Sequence, residues 1–205
     1  MLRAEHFFWF AGFLFLGTAG AAVIESHVYQ SRENAAFDRA RAALPEARPE
    51  AARAPAEFRL VARAASPGPD GDVLGRVEIA RLGVRAIVRE GVDEGTLRVA
   101  VGHIPGTARP GEPGNVGLAG HRDTFFRALR NVRKGDVLTL TTLAGMETFR
   151  VASLSVVEPG RTELLRTTRG NAVTLVTCFP FDWIGAAPKR YVVEALPAGA
   201  QGGER

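Results

Sequence analysis

The sequence predicts an all-β body, sandwich or barrel, carried behind one membrane-spanning helix. Three observations lead there. From Val73 to residue 197, brief β-rich runs alternate with Gly- and Pro-containing turns, with little helical periodicity between them. Ahead of them, residues 7–24 read FFWFAGFLFLGTAGAAVI, without a charge or a proline. Finally, Cys178 is the sole cysteine of 205 residues, so no internal disulfide and no four-cysteine zinc site holds the chain. A body of that length buries a sufficient core without such staples.

The first element is the apolar run. Eighteen helical residues extend about 27 Å, close to the roughly 30 Å of a hydrocarbon core. Arg3 precedes the run and Glu25 follows it, so the positive-inside rule puts residues 1–6 in the cytoplasm and the rest of the chain outside. Two readings fit, a retained signal anchor over 7–24 or a cleaved signal peptide, since Ala19-Gly20-Ala21 has the A-x-A form. Both export the body.

Residues 25–72 change character. The stretch 27–44 is charged, with apolar positions only at Val28, Ala35, Ala36, Phe37, Ala40 and Leu44. That is a thin stripe for a helix leaving the membrane. Pro45, Pro49, Pro55 and the turn formers of SPGPDGD (66–72) follow. The segment reads as a stalk, partly helical and partly extended, either resting its basic residues on anionic headgroups or solvated with no partner.

The body begins with VLGRVEI (73–79) and VRAIV (84–88), joined by a turn at Arg81-Leu82-Gly83. DEGTLRVA (93–100) suits one or two helical turns, and RPGEPGN (109–115) is a loop. NVGLAG (115–120) reads as a strand with close backbone neighbours, and TFFRAL (124–129) spaces Phe125, Phe126 and Leu129 as a helix would. Strands follow at 137–142, 147–157, 172–178 and 190–196, with residues 198–205 as a flexible tail. Seven or eight strands result.

Composition narrows the function further. The net charge of +4 is modest. Arginine outnumbers lysine by twenty-four to two, which fits either phosphate binding or a GC-rich coding habit. No P-loop or G-x-G-x-x-G motif is present, so nucleotide binding has no support and no cofactor is expected.

The chemistry candidates lie at strand ends. Cys178 closes the run T-L-V-T-C, and Pro180 forces the strand to stop there, where catalytic groups are commonly displayed. A buried thiol packing as a small hydrophobe is the plain alternative. Export favours a use, because an idle extracytoplasmic thiol is exposed to oxidation. His121 ends the strand NVGLAG, and histidine is the usual base or ion-pair partner of a nucleophilic thiol. His103, in Val101-Gly102-His103, is a second candidate in a loop setting. His6 and His27 flank the apolar run and are poorly placed. Arg190, at the start of the last strand, offers a permanent cation for a thiolate or oxyanion. Asp123 and Asp182 either orient the histidine or face solvent, and Trp183 lines a groove or packs. A zinc site from His103, His121 and Cys178 lacks any short ligand pair.

Taken together, P-G-E-P-G-N-V-G-L-A-G-H-R (110–122), T-L-V-T-C (174–178) and the strand R-Y-V-V-E-A opened by Arg190 resemble the sortases, cysteine transpeptidases of bacterial cell surfaces. The resemblance covers about 73–197, and the Cys178-Phe179-Pro180-Phe181 stretch is most similar to class D, with class E next. It implies a closed eight-stranded β-barrel. It also implies Cys178 as nucleophile, His121 as general acid and base, Arg190 as oxyanion and substrate-positioning residue, and Thr177 as a shaper of the substrate site. The implied reaction cuts an LPxTG-like C-terminal sorting signal between Thr and Gly, holds the substrate as a thioester and passes it to an amine.

The implied partners are proteins bearing a sorting signal, an amine acceptor (a cell-wall precursor or a protein lysine), and the membrane through the N-terminal helix, with no nucleic acid. The implied location is the plasma membrane, single-pass, catalytic domain outside. Two other functions stay open: a thiol hydrolase of the same fold, and a non-enzymatic surface domain binding peptide or wall polymer. An L,D-transpeptidase is excluded, because it needs His and Cys in one short run and here they stand at 121 and 178.

Overall fold

The computed structural model describes residues 4–44, 72–166 and 170–199, without the side chains of 4–8 and 10–23. Eight strands form a closed barrel: β1 (Val73–Ile79), β2 (Val84–Glu90), β3 (Val101–His103), β4 (Asn115–Ala119), β5 (Val137–Thr141), β6 (Met146–Val157), β7 (Ala172–Phe179) and β8 (Lys189–Pro197). Around the barrel they run β1-β2-β3-β4-β7-β8-β6-β5, and β5 closes on β1. Closure leaves no sheet edge to protect.

The β1–β2 hairpin turns through Ala80–Leu82 and closes on Gly83, whose φ of +66° is open to glycine at no steric cost. β2 and β3 are parallel, so the chain must cross over between them. A short helix, α2 (Glu94–Val99), makes that crossing, and Asp93 caps it by accepting from Thr96 N at 3.0 Å. β4 and β7 are also parallel, while β6, β7 and β8 form an antiparallel wall. The core fills the barrel with Val77, Ile79, Leu118, Leu138, Leu140, Phe149, Leu175 and Val193, and Phe126 and Leu129 plug it from the segment between β4 and β5.

The strands sit where the periodicity puts them, with three differences. β3 is three residues long, too short for an alternation pattern to register. TFFRAL does not form an α-helix: Phe126 and Leu129 point inward, but only a 3-10 turn over Arg127–Asn131 forms.

The third difference concerns the stalk. One helix, α1 (Ala4–Ala43), contains the 7–24 run and continues across the barrel wall. Gln30 Nε2 donates to Val99 O at 2.7 Å and its Oε1 accepts from Ile87 N at 3.0 Å. Asp38 pairs with Arg76 at 2.7 Å, Arg76 lies over the ring of buried Phe37, and Arg89 lies over Tyr29. The thin apolar stripe suffices because polar and cation–π contacts do most of the docking. Residues 45–71 and 200–205, the remainder of the stalk and most of the tail, lie outside the described residues. Among the described residues no helix is long and apolar enough to cross a membrane.

One ion pair ties the start of the barrel to its middle. Arg81 grips Asp136 in two bonds, Nε–Oδ1 at 2.5 Å and Nη2–Oδ2 at 2.6 Å, while Arg133 N donates to the same carboxylate at 2.8 Å. The Arg81 bond, followed by the Arg133 amide, holds the Asp136 carboxyl below its ordinary 3.8, against a burial effect that would raise it. A depressed carboxyl contributes stability above its unfolded pKa and loses it as pH falls through the folded one. Asp136→Asn should therefore lower stability by about 2 kcal/mol at neutral pH. Thermal melts at falling pH should show the gap narrowing below 3.8. A gap of constant size across that range would remove Asp136 from the role.

Candidate active site

The site is built from three adjacent strands. Along β4 and β7 the parallel register pairs Leu118 with Leu175 and Ala119 with Val176. Gly120 N donates to Val176 O at 3.2 Å, and Thr177 Oγ1 donates to Gly120 O at 2.7 Å, so the pairing runs one residue past β4. On the other side of β7, Cys178 is the direct antiparallel partner of Arg190 on β8. Neighbouring strands lie about 4.8 Å apart, so Cys178 and Arg190 stand side by side in the barrel wall, and extending the β4–β7 register two residues past its paired end carries His121 toward Cys178.

Local sequence explains how these groups are held. Gly120 has no room for a side chain: a Cβ there would stand 2.8 Å from Cδ2 of Phe126, a core ring with no solvent exposure. Phe126 N in turn donates to His121 O at 3.1 Å, so the turn bearing the histidine is pinned by the ring beneath it. Thr177 is buried and its hydroxyl is committed to the Gly120 carbonyl, which makes it a brace for that turn. Cys178 is a half-exposed free thiol. Arg190 Nη1 donates to Ala187 O at 3.2 Å and Lys189 O at 3.0 Å, so its guanidinium lies along the β7–β8 loop.

A cavity of about 890 Å³ opens beside His121, walled by the start of β2, the segment 123–131 and one turn of α1. His27 lines it, although its place next to the apolar run argued against any role. Asp123 lines the same cavity and takes no partner among the described residues. Asp182 faces solvent and pairs with Arg130 at 2.8 Å. Trp183, half exposed, donates Nε1 to Ala186 O at 3.1 Å.

His103 belongs elsewhere. It ends β3, buried, with Nδ1 3.0 Å from Glu90 Oε1 and Nε2 3.0 Å from Ala108 O. Both nitrogens face acceptors, which turns the ring into a clamp between β2 and the loop ahead of β4. Burial alone would raise the Glu90 carboxyl, but the His103 and Arg109 contacts outweigh it and hold the group below its ordinary value. Among the described residues no three His, Cys, Asp or Glu side chains are disposed to hold a metal ion.

Two residues that the sequence analysis quoted in the 110–122 motif without a role have contacts beside the site: Gly120, packed against Phe126, and Arg122, which donates to Trp183 O at 2.7 Å.

The comparisons agree with this geometry. The sortase domain family matches residues 77–198, and the chain belongs to the sortase family. Sortase D of Bacillus subtilis (strain 168) is 34% identical over 124 residues, which are 60% of this chain and 63% of that protein. The chain thus spans a little under two thirds of the length of that relative. Among solved structures, a sortase D5 transpeptidase of Clostridium perfringens superposes with a TM-score of 0.60 at 28% identity, over 73% of this chain and 92% of that one. Sortase C of C. perfringens with the C-terminal cell wall sorting motif superposes at 0.55 and 27% identity, over 62% and 70%. The class D likeness seen in the motifs is supported by the first two.

Gly120→Ala tests the packing under His121. Forcing Phe126 aside should destabilise the fold by about 1–3 kcal/mol. A melting temperature unchanged from wild type would mean the ring has room to yield.

Proposed function

We propose that this chain is a membrane-anchored cysteine transpeptidase. It cuts an LPxTG-like C-terminal sorting signal between Thr and Gly and transfers the upstream part to an amine. The carrying observation is the pairing of Cys178 with Arg190 in a sortase-family barrel, with His121 two residues past the end of β4, the strand parallel to that of the thiol. A neighbour, C. perfringens sortase C, is known with the C-terminal cell wall sorting motif, which supports a peptide of that kind as the substrate class. The apolar run 7–24 within α1 supports the anchor, with the barrel outside the cytoplasm.

The chemistry follows from this arrangement. The Cys178 thiol gives its proton to His121 and its sulfur attacks the Thr carbonyl carbon. The carbonyl electron pair moves to oxygen, and the Arg190 guanidinium, held through Nη1 by the Ala187 and Lys189 carbonyls, stabilises that charge with its remaining donors. The intermediate collapses, the C–N bond breaks, and the departing Gly nitrogen takes the proton from His121. A thioester remains on Cys178. An acceptor amine then attacks, passes a proton to His121, and expels the sulfur, which is reprotonated. Both steps need the same pair in opposite protonation states, so activity should fall at both pH extremes.

Cys178→Ala and His121→Ala should each remove measurable cleavage of a fluorogenic LPxTG-type peptide while the melting temperature stays near wild type. Arg190→Lys should retain a small fraction of kcat, because an ammonium lacks the rigid fork. Retained cleavage in Cys178→Ala would end the assignment. Peptide incubated with an added amine should yield ligated product, read by mass. Free acid alone would make the chain a hydrolase.

A further inference from the structure

Loop 180–188 joins the strand of the thiol to the strand of the arginine, and its tip is apolar and open, with Ile184 96% exposed. A nine-residue connection of this kind has few contacts of its own and is expected to open locally. Its near end is anchored by the Phe181 ring, packed against Phe179 and Tyr191, and by Trp183 N donating to Pro180 O at 3.4 Å; beyond Phe181, four side-chain contacts restrain the tip. Arg130 pairs with Asp182 at 2.8 Å, but that carboxylate is 80% exposed, where ion pairs contribute little. Trp183 Nε1 reaches only Ala186 O, inside the loop. Arg190 holds Ala187 O at the far end. The remaining tie is Arg122, whose Nη2 donates to Trp183 O at 2.7 Å and Gly185 O at 2.9 Å, joining the tip to the residue next to His121.

Arg122 has a second property. Its Nη1 is buried and takes no hydrogen-bond partner among the described residues. A buried donor left unpaired is a cost to the fold, so stability by itself does not favour this side chain.

We infer that Arg122 is a positioning residue for the proposed acyl transfer: by stapling Trp183 and Gly185 to the turn that bears His121, it fixes the loop whose Ala187 carbonyl sets the Arg190 guanidinium beside Cys178. This rests on the transpeptidase reading above for its catalytic part and on the loop contacts for its structural part. One side chain thereby couples the distance between base and oxyanion residue to the shape of the loop between them.

Hydrogen exchange on the full chain reads the staple without any substrate. Arg122→Gln should make the amides of 182–187 exchange about tenfold faster, with β4, β7 and β8 unchanged. Arg122→Lys should lie between, since both carbonyls are served by one terminal nitrogen that an ammonium partly replaces. If Arg122→Gln fails to fold, the lysine variant carries the test alone. Unchanged loop exchange overturns the staple.

Cleavage of the fluorogenic peptide reads the link to Arg190. Arg122→Gln should lower kcat about tenfold with KM little changed, and in an Arg190→Lys background the same change should cost less than about twofold. Independent, multiplying losses would overturn the link. A wild-type chain that cleaves nothing counts against the transpeptidase reading, and the staple is then judged by exchange.

Discussion

The parallel pairing of β4 with β7 is the constraint on which the rest of the site depends. Parallel neighbours run in the same direction, so both strands end at the same rim of the barrel, and the residues just beyond their ends meet there. A slip of one residue between β4 and β7 would shift the turn that bears His121 along β7 by one position and flip the side chains of β4 relative to those of β7. The register is secured by groups that fit only one alignment. The Thr177 hydroxyl meets the Gly120 carbonyl at one end. At the other, Thr174 Oγ1 donates to Asn115 Oδ1 at 2.9 Å, and Asn115 Nδ2 donates to Leu164 O at 3.1 Å. These are buried polar contacts, where a mismatch would leave a donor or acceptor unpaired.

The barrel's relation to its N-terminal helix is a second consequence of polar docking. Gln30 satisfies a strand amide and a helix carbonyl at once, and Asp38 meets Arg76, a guanidinium largely shielded from water. The Arg76 bond comes first among the causes that hold the Asp38 carboxyl below its usual range, with burial opposing it. Such a contact set fixes orientation better than an apolar stripe, which tolerates rotation and sliding. The barrel is therefore held against α1 in one pose, and the His121 cavity includes a wall of that helix.

Strand periodicity and turn residues made the body legible, because those features are local and repeat, while the roles of Cys178, His121 and Arg190 came from the motifs shared with the sortases. The docked part of α1 was not legible, since its contacts are single residues reaching distant partners, as Asn34 and Asp38 do toward Arg76, 42 and 38 positions away. β3 escaped for the opposite reason, being too brief to alternate. His103 carried a false signal: a histidine beside a glycine at a strand end resembles a reactive group, and only its partners, Glu90 and Ala108, reveal a structural clamp. Arg122 was quoted only as the last residue of the 110–122 motif, and nothing local gave it a role of its own.

The reactive groups lie on the seventh and eighth strands and just past the fourth, and the last of these to be synthesised supplies Arg190. No portion of the chain that stops before β8 contains all three residues, and Cys178 and Arg190 are not brought together before β8 pairs with β7. Competence arises together with completion of the barrel wall. A chain whose β8 is still unpaired carries the thiol without Arg190 beside it, so in the proposed reading the closed barrel wall is itself the condition for acyl transfer.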